Sequence, residues 1–243
     1  TVESIFEGVD EVPIAGYTNL GNFAVPGEWY GIMKGIPFER NEDGVLLIDE
    51  EGNYIPDQEI GVIGNPNPMF QTNLNSNMSF AGFNLRAQLS YTHRGDIYSI
   101  TTATMLARGN TVDTDFDRFL PIIQPGIRQT TESENDIQGY VGDLFFRSYF
   151  FADEGAVFDG TNLRLREISL SYTLPKAWLE KLPIGSLSLA LVGENLWFEA
   201  FNFPAGVNFD PEVLSLGVGN GRGFDLLTGP TAKRYGGNIS LTF

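Results

Sequence analysis

Cysteine is absent from the 243-residue sequence, which excludes disulfides and thiolate metal sites. His93 is the single histidine, so neither a histidine-based triad nor a multi-histidine metal site can be assembled within the chain. Basic residues are scarce: 15 lysines and arginines stand against 31 aspartates and glutamates. The resulting net charge of -16 leaves no basic footprint for nucleic acid. No apolar run approaches the roughly 18 residues of a transmembrane helix, and amphipathic helical runs are rare. The opening TVESIFEGVDEVPIAGYTNL lacks a basic start and an apolar signal core, and it begins on Thr1. The chain is therefore expected to be a piece of a longer polypeptide. A transmembrane β-barrel survives every one of these exclusions, because its strands are short and only half apolar.

What is present favours an all-β chain with many turns: 28 glycines, 19 phenylalanines, and prominent asparagine and threonine. From Phe70 the alternate positions read Phe70, Thr72, Leu74, Ser76, Met78 and Phe80, with Gln71, Asn73, Asn75, Asn77 and Ser79 between them. After a tight connection at Ala81-Gly82, Phe83, Leu85, Ala87, Leu89 and Tyr91 alternate with Asn84, Arg86, Gln88, Ser90 and Thr92. Successive strand side chains point to opposite faces, so each strand has one apolar and one polar wall. In RLREISLSYTLP, Ile168, Leu170, Tyr172 and Leu174 share a face, while Arg166, Glu167, Ser169, Ser171 and Thr173 supply the polar character. Pro175 ends that strand because it has no N–H for the ladder. GSLSLALVGENLWF and KRYGGNISLTF follow as further strands, the last with Tyr235, Ile239, Leu241 and Phe243 on one face.

Such alternation also suits a soluble β-sandwich. Strands of about ten residues or more, polar faces built from serial Asn, Gln and Arg, and aromatics near strand ends favour a membrane barrel instead. Connection lengths point the same way. Ala81-Gly82 and Pro175–Pro183 are short, whereas 36–68, 93–160 and 199–232 are long. Loops this long are unusual in a compact soluble domain, but alternating short turns and long loops is the outer-membrane pattern. Roughly six strands are expected, one of them near Trp29–Gly35, fewer than the ~8 of the smallest such barrels. The chain cannot close a barrel unaided.

Several segments invite a chemical reading. Asp210 and Glu212 in FDPEV could be taken as a carboxylate pair, but alternate residues on one chain do not set a separation across a substrate. Pro211 points to a structural loop, and no catalytic residue is expected. NEDGVLLIDEEGNY, residues 41–54, lacks the EF-hand offsets, so its Asp-Gly and Glu-Gly read as turns and no metal site is assigned. GVGNGRGFDLLTGP is no Walker loop, since no Gly-Lys-Ser/Thr follows, and it is expected to be a mobile outer loop. Phe198, Phe201, Phe203, Phe209 and Phe224 could stack on sugar rings, pack on a partner, or pack against one another beneath the loops. Acidic residues gather between Glu39 and Glu59, a solvated surface that raises the cost of an anion's approach. No cofactor is implied.

LRLREISLSYTLP, then LSLALVGENLWF, FDPEV and a closing RYGGNISLTF, resemble the C-terminal end of SusC/RagA-type TonB-dependent transporters. Upstream, IGNPNPMFQTNLNSNMSFAGFNL and RGDIYS resemble the same family, and the likeness runs from Gly31 to Phe243 in family order. His93-Arg94-Gly95 departs from it, standing where consecutive glycines are more usual. The resemblance implies that residues 1–243 are the C-terminal strands of a large antiparallel barrel of about 22 strands with long extracellular loops. The N-terminal plug and earlier strands would lie outside this chain. It further implies import of oligosaccharides or peptides across a Gram-negative outer membrane, with a SusD-like surface lipoprotein and with TonB acting through the missing N-terminal part. Outer-membrane lipid and lipopolysaccharide would surround it. The apolar last strand, Tyr235, Ile239, Leu241 and terminal Phe243, fits a barrel-assembly signal. A secreted glycan-binding sandwich and a passive porin are the rival readings.

Overall fold

The computed structural model describes residues 1–216 and 219–243; Gly217 and Val218, which open the glycine-rich segment, lie outside the described residues. The first 69 residues hold five short strands, β1 (Val12–Gly16), β2 (Gly21–Ala24), β3 (Ile32–Gly35), β4 (Leu47–Ile48) and β5 (Gly61–Gly64). Two long strands follow, β6 (Phe70–Phe80) and β7 (Phe83–His93). The next connection carries β8 (Asp96–Ser99), α1 (Ile100–Ala107), β9 (Pro121–Ile123) and β10 (Ile127–Arg128). It continues through β11 (Gln138–Tyr140), α2 (Val141–Phe150) and β12 (Val157–Asp159). Then come long β13 (Asn162–Thr173), the single turn α3 (Lys176–Leu179) and long β14 (Ser186–Ala200). A last excursion contains β15 (Phe224–Asp225) before β16 (Arg234–Thr242).

The long strands form one antiparallel sheet in the order β16-β14-β13-β7-β6. All short turns lie at one end of this wall, and all long connections gather at the other as a cap. The β6–β7 hairpin closes through Ala81 (φ 48) and Gly82 (φ 87), the two positive-φ residues that a strand-matching two-residue turn requires. Five long strands are present rather than six: Ile32–Gly35 pairs with β2 and β5 inside the cap, so the expected wall strand there is a cap strand. Its four residues satisfy their hydrogen bonds locally, and four residues are too few to cross a bilayer.

Cross-strand register sorts the wall into two faces. Leu74↔Leu89↔Leu165↔Trp197 and Met78↔Leu85↔Leu170↔Leu191 are rows on the outer face. β13 does not alternate without interruption. Its pairing slips between Leu165 and Glu167, leaving Arg166 as a bulged extra residue. Without the slip, Arg164 and Arg166 would share a face with Ile168. With it, Leu163 and Leu165 join Ile168, Leu170 and Tyr172 outside, and Arg164 turns inward. β14 accommodates the same kink with Asn195 at φ 52, a conformation asparagine tolerates better than most residues.

Nothing among the described residues covers the outer face: Leu74, Met78, Phe80, Leu191, Tyr235 and Ile239 are all exposed. A sandwich would bury such a face beneath a second sheet about 10 Å away, so that alternative fails. Strands β6 and β7 have 11 residues each. At about 3.3 Å per residue and a tilt near 45° they span roughly 25 Å, the height of an outer-membrane barrel's apolar band. Aromatics fringe that band at both ends, with Phe70, Tyr91, Trp197 and Tyr235 toward the cap and Phe80, Phe83 and Tyr172 toward the turns. Phe83 and Tyr172 stand 4.4 Å apart.

The buried core lies in the cap instead. Met33, Ile63, Tyr98, Ala103, Ala156 and Phe224 pack where β3, β5, β8, α1 and β15 meet. Ile97, Phe203 and Phe209 form a second cluster nearer the wall. The segment expected as a mobile outer loop is anchored at Phe224 and Asp225, which pair in parallel with Tyr98 and Ser99. Buried Asp225 accepts from the Ser99 hydroxyl (2.8 Å), the Thr101 N–H (3.2 Å) and the Thr228 N–H (3.1 Å). The Ser99 hydroxyl oxygen in turn accepts from the Thr102 N–H and caps α1.

The orientation of the wall can be tested by two substitutions on neighbouring residues. Leu170→Arg places a charge on the outer face and should cost about 2–4 kcal/mol if that face meets hydrocarbon, whereas Ser169→Arg should cost little. Urea titration of the complete protein folded into lipid vesicles measures both, and equal tolerance would reverse the assignment.

Candidate functional site

The inner face of the wall is mostly polar, interrupted on β14 by Ala190 and Val192. β6 contributes Gln71, Asn73, Asn75, Asn77 and Ser79, and opposite them β7 places Thr92, Ser90, Gln88, Arg86 and Asn84. The Asn84 amide donates to Asn77 Oδ1 and to Ser79 Oγ, both at 2.7 Å. β13 and β14 extend the face with Glu167 opposite Glu194, then Ser169, Ser171 and Ser188. An amide- and hydroxyl-rich surface of this kind offers donors and acceptors to passing solutes and carries little net charge to select among them.

At the cap end, this face is fastened to the 201–233 connection. Arg164, fully buried, is ion-paired with buried Asp210, which also accepts a hydrogen bond from Thr231 Oγ1. Arg166 forms a two-pronged pair with Glu212, one arm at 3.0 Å, and Arg164 Nε lies 3.4 Å from the same carboxylate. The Glu212 N–H donates to Asp210 Oδ1, so Pro211 sits in a turn that presents both acids to both arginines. Phe198, opposite Arg164 in register, stacks 5.0 Å from its guanidinium. FDPEV is therefore a latch between cap and wall. The matching i, i+2 spacing of Arg164/Arg166 and Asp210/Glu212 is its trace in the sequence.

A second fastening holds the 37–59 hairpin. Asp153 accepts from the Ile36 N–H at 2.8 Å, and Glu154 accepts from the Phe38 N–H at 2.9 Å and from both arms of Arg40. Burial raises the Asp153 carboxyl above its ordinary value of 3.8, against hydrogen bonds from Ile36 and Tyr98 that lower it. Burial likewise pushes the Tyr98 hydroxyl up to about 12, helped by the Asp153 charge. Glu154 goes the other way: burial pushes it up, but the Arg40 and Phe38 hydrogen bonds outweigh that and hold it below 4.5.

Of the five phenylalanines singled out in the sequence, Phe203 and Phe209 stack on each other at 4.8 Å inside the cap. Phe224 is buried against Tyr98, and Phe198 lies in β14 rather than in a loop. Only Phe201 is more than half exposed. Tyr235, Ile239 and Leu241 share the outer face of β16, and Phe243 ends the chain exposed. His93 is the last residue of β7, its ring 5.1 Å from Phe70. Arg94 and Gly95 follow at φ 60 and φ 93, the sharp corner into the cap. Residues 41–53 form two turns, closed by Asn41 Oδ1 accepting from Val45 N–H and Asp49 Oδ1 accepting from Asn53 N–H, each at 2.8 Å. No group of three or more His, Asp or Glu side chains among the described residues is placed to hold a metal.

The chain is 22% identical over 222 residues to the TonB-dependent receptor P3 of Formosa agariphila, a match covering 84% of this chain and 19% of that protein. The solved RagAB peptide transporter superposes with a TM-score of 0.57 at 16% identity, covering 98% of this chain and 25% of that one. The RagAB peptide importer in its open-open state gives 0.55 at 14%, covering 99% and 25%. No family model matches the sequence. The chain thus spans a fifth to a quarter of the length of these relatives, and it shares with the solved transporters the fold of that portion.

Two predictions test the fastenings. Asp210→Ala strips buried Arg164 of its main partner and should destabilise the protein by about 3 kcal/mol, the lower end of the range for a broken buried pair because Glu212 remains near. Limited proteolysis should then cut within 201–233 first, and Arg164→Met with Asp210→Leu should recover most of the loss. Asp153 titrates with a raised folded pKa, so its stabilising contribution is present below pH ~3.8 and fades as pH rises through the raised value. Asp153→Asn keeps the acceptor for Ile36 without the buried charge. Its thermal stability relative to the parent should therefore grow between pH 4 and 7, and a pH-independent difference would contradict this assignment.

Proposed function

We propose that this chain, which shares the fold of about a quarter of the solved RagAB transporter, is the C-terminal barrel wall of a SusC/RagA-type TonB-dependent transporter and so part of an outer-membrane importer of oligosaccharides or peptides. The observation that carries this reading is the single-layer wall, apolar and uncovered outside and mostly polar inside. The cap is then the extracellular end, and the unpaired edges of β6 and β16 continue into further strands of the same barrel. An N-terminal plug precedes these strands and couples to TonB, and a SusD-like lipoprotein closes over the cap. Lipid and lipopolysaccharide surround the outer face. Tyr235, Ile239, Leu241 and Phe243 act as the barrel-assembly signal, because an exposed apolar edge ending on an aromatic is one that soluble sheets avoid.

The FDPEV acids are engaged by ion pairs with Arg164 and Arg166, and the reading assigns them no catalytic role. A passive porin would share the wall but would conduct without energy. Uptake by cells carrying the complete gene should vanish when TonB is removed and return when it is restored; TonB-independent uptake would establish the porin instead. Deleting Phe243 should reduce the amount of folded protein in the outer membrane while leaving uptake per folded molecule unchanged.

A further inference from the structure

The inner face of the wall does not have the same surroundings along its length. On β13, Asn162 and Arg164 face inward and are buried, whereas Glu167, Ser169 and Ser171 farther along the same face are partly open. β7 repeats the pattern, with Ser90 buried and Arg86 exposed. Both are interior strands of the sheet, so the difference is not an edge effect. The polar face is covered at its cap end and uncovered toward the turns.

The covering chain includes residues 201–214, which leave β14 at Ala200 and double back over that face. The Phe201 N–H donates to the Thr161 carbonyl at 3.1 Å, turning the chain across the head of β13. Phe203, Val207, Phe209 and Leu214 then pack with Ala200, which shares the inner face with Asn162. Asp210 and Glu212 reach Arg164 and Arg166. Arg164 stands opposite Ser90, which precedes the last three residues of β7. At about 3.3 Å per residue and a tilt near 45°, the contact lies roughly 7 Å below the rim of that strand. Farther out, the Gly206 N–H donates to Asp113 Oδ1 at 3.2 Å, so the segment runs from the wall to the 94–161 connection.

The direction of the fold-back is fixed by Arg164. A connection that stood upright or folded outward would leave this guanidinium facing open water, where it needs no partner. Its exposure is instead 0%, and the carboxylate against it is buried as well. Apolar packing alone does not seat the segment. A hollow of about 240 Å³ remains between it and α1, lined in part by Met105, Val207, Phe209, Val213 and Pro230. The ion pairs on the wall side therefore decide where residues 201–214 sit.

Resting on the transporter reading above, we propose that residues 201–214 are an inward-folded strap that narrows the barrel mouth and sets the largest solute cross-section admitted to the polar wall. Arg164, Arg166, Asp210 and Glu212 are its positioning residues. They touch no solute; they hold the strap below the rim, on the lumen side. Size is then sorted at the cap end, before a solute meets the amides and hydroxyls farther down. A strap that merely stapled the fold together would stabilise the protein equally but would impose no size limit.

The test uses the full-length transporter on intact cells, expressed without a partner, with Ser169→Cys placing a thiol on the inner face below the latch. Residues 1–243 contain no cysteine of their own, so labelling above the parent's reports that position. Two probes are applied from outside, a small maleimide dye and a polyethylene glycol maleimide several times wider. With the latch intact, the dye is expected to react and the polymer to be excluded. Adding Asp210→Ala should raise the polymer's labelling rate about a hundredfold, the shift in open population that follows loss of a buried ion pair, and leave the dye's rate unchanged. Arg164→Met with Asp210→Leu reseats the strap through apolar contact and should restore exclusion. Rates are taken per folded molecule, so a variant that assembles poorly is still read. An equal rise for dye and polymer would mean general loosening of the fold and would overturn the proposal. Polymer labelling with the latch intact, or exclusion that survives Asp210→Ala, would overturn it too. A latch-independent size limit alongside TonB-dependent uptake would sink the strap and leave the transporter standing; a latch-dependent limit without TonB dependence would do the reverse.

Discussion

A one-layer sheet with an uncovered apolar face has to find a solvent for it. Backbone groups in the wall are satisfied sideways, strand to strand, so the hydrogen bonds make no demand on what lies above or below. The side chains do. Leu74, Met78, Leu191 and Ile239 are each more than half exposed, while the opposite face presents amides and hydroxyls. In water such a face would be an aggregation surface. In the proposed barrel, hydrocarbon outside and water inside satisfies both faces at once. Irregular backbone is confined to the two ends of the wall, in short turns at one and in the cap at the other.

The bulge at Arg166 is where the two environments are reconciled. Below it the strand alternates without interruption, apolar outside and polar inside. Above it the strand must turn arginines toward the cap without pushing a leucine inward, and a single extra residue accomplishes this. The latch to Asp210 and Glu212 then makes the bulge functional as well as geometric: it joins the loop of one connection to the rim of a neighbouring strand. A buried pair of this kind contributes little net stability over a well-packed apolar substitute, but it defines where the loop must sit.

Much of the wall was legible in the residues themselves. Period-two alternation, the Ala81-Gly82 turn and the sorting of short from long connections are all local or countable features, and each strand they mark is present. The misses have a common cause. Ile32–Gly35 has the apolar character of a strand, but no local pattern says which sheet a short strand joins. The slip in β13 leaves only a short trace: the apolar positions pass from Leu163 and Leu165 to Ile168 and Leu170 across the adjacent polar pair Arg166-Glu167. Phe203 and Phe209 are indistinguishable in sequence from Phe201, since an aromatic in a long connection carries no mark of which way it points.

The cap and the wall keep their accounts of length separately. Register in the wall is set by lateral pairing and by one bulge, so a residue gained or lost within β13 would reverse the facing of everything beyond it. The connections at the cap end are under no such phase constraint. Descendants of this chain can thus lengthen, shorten or replace outer segments while the strands beneath remain in step. Change can accumulate at one end of the molecule without disturbing the register of the wall.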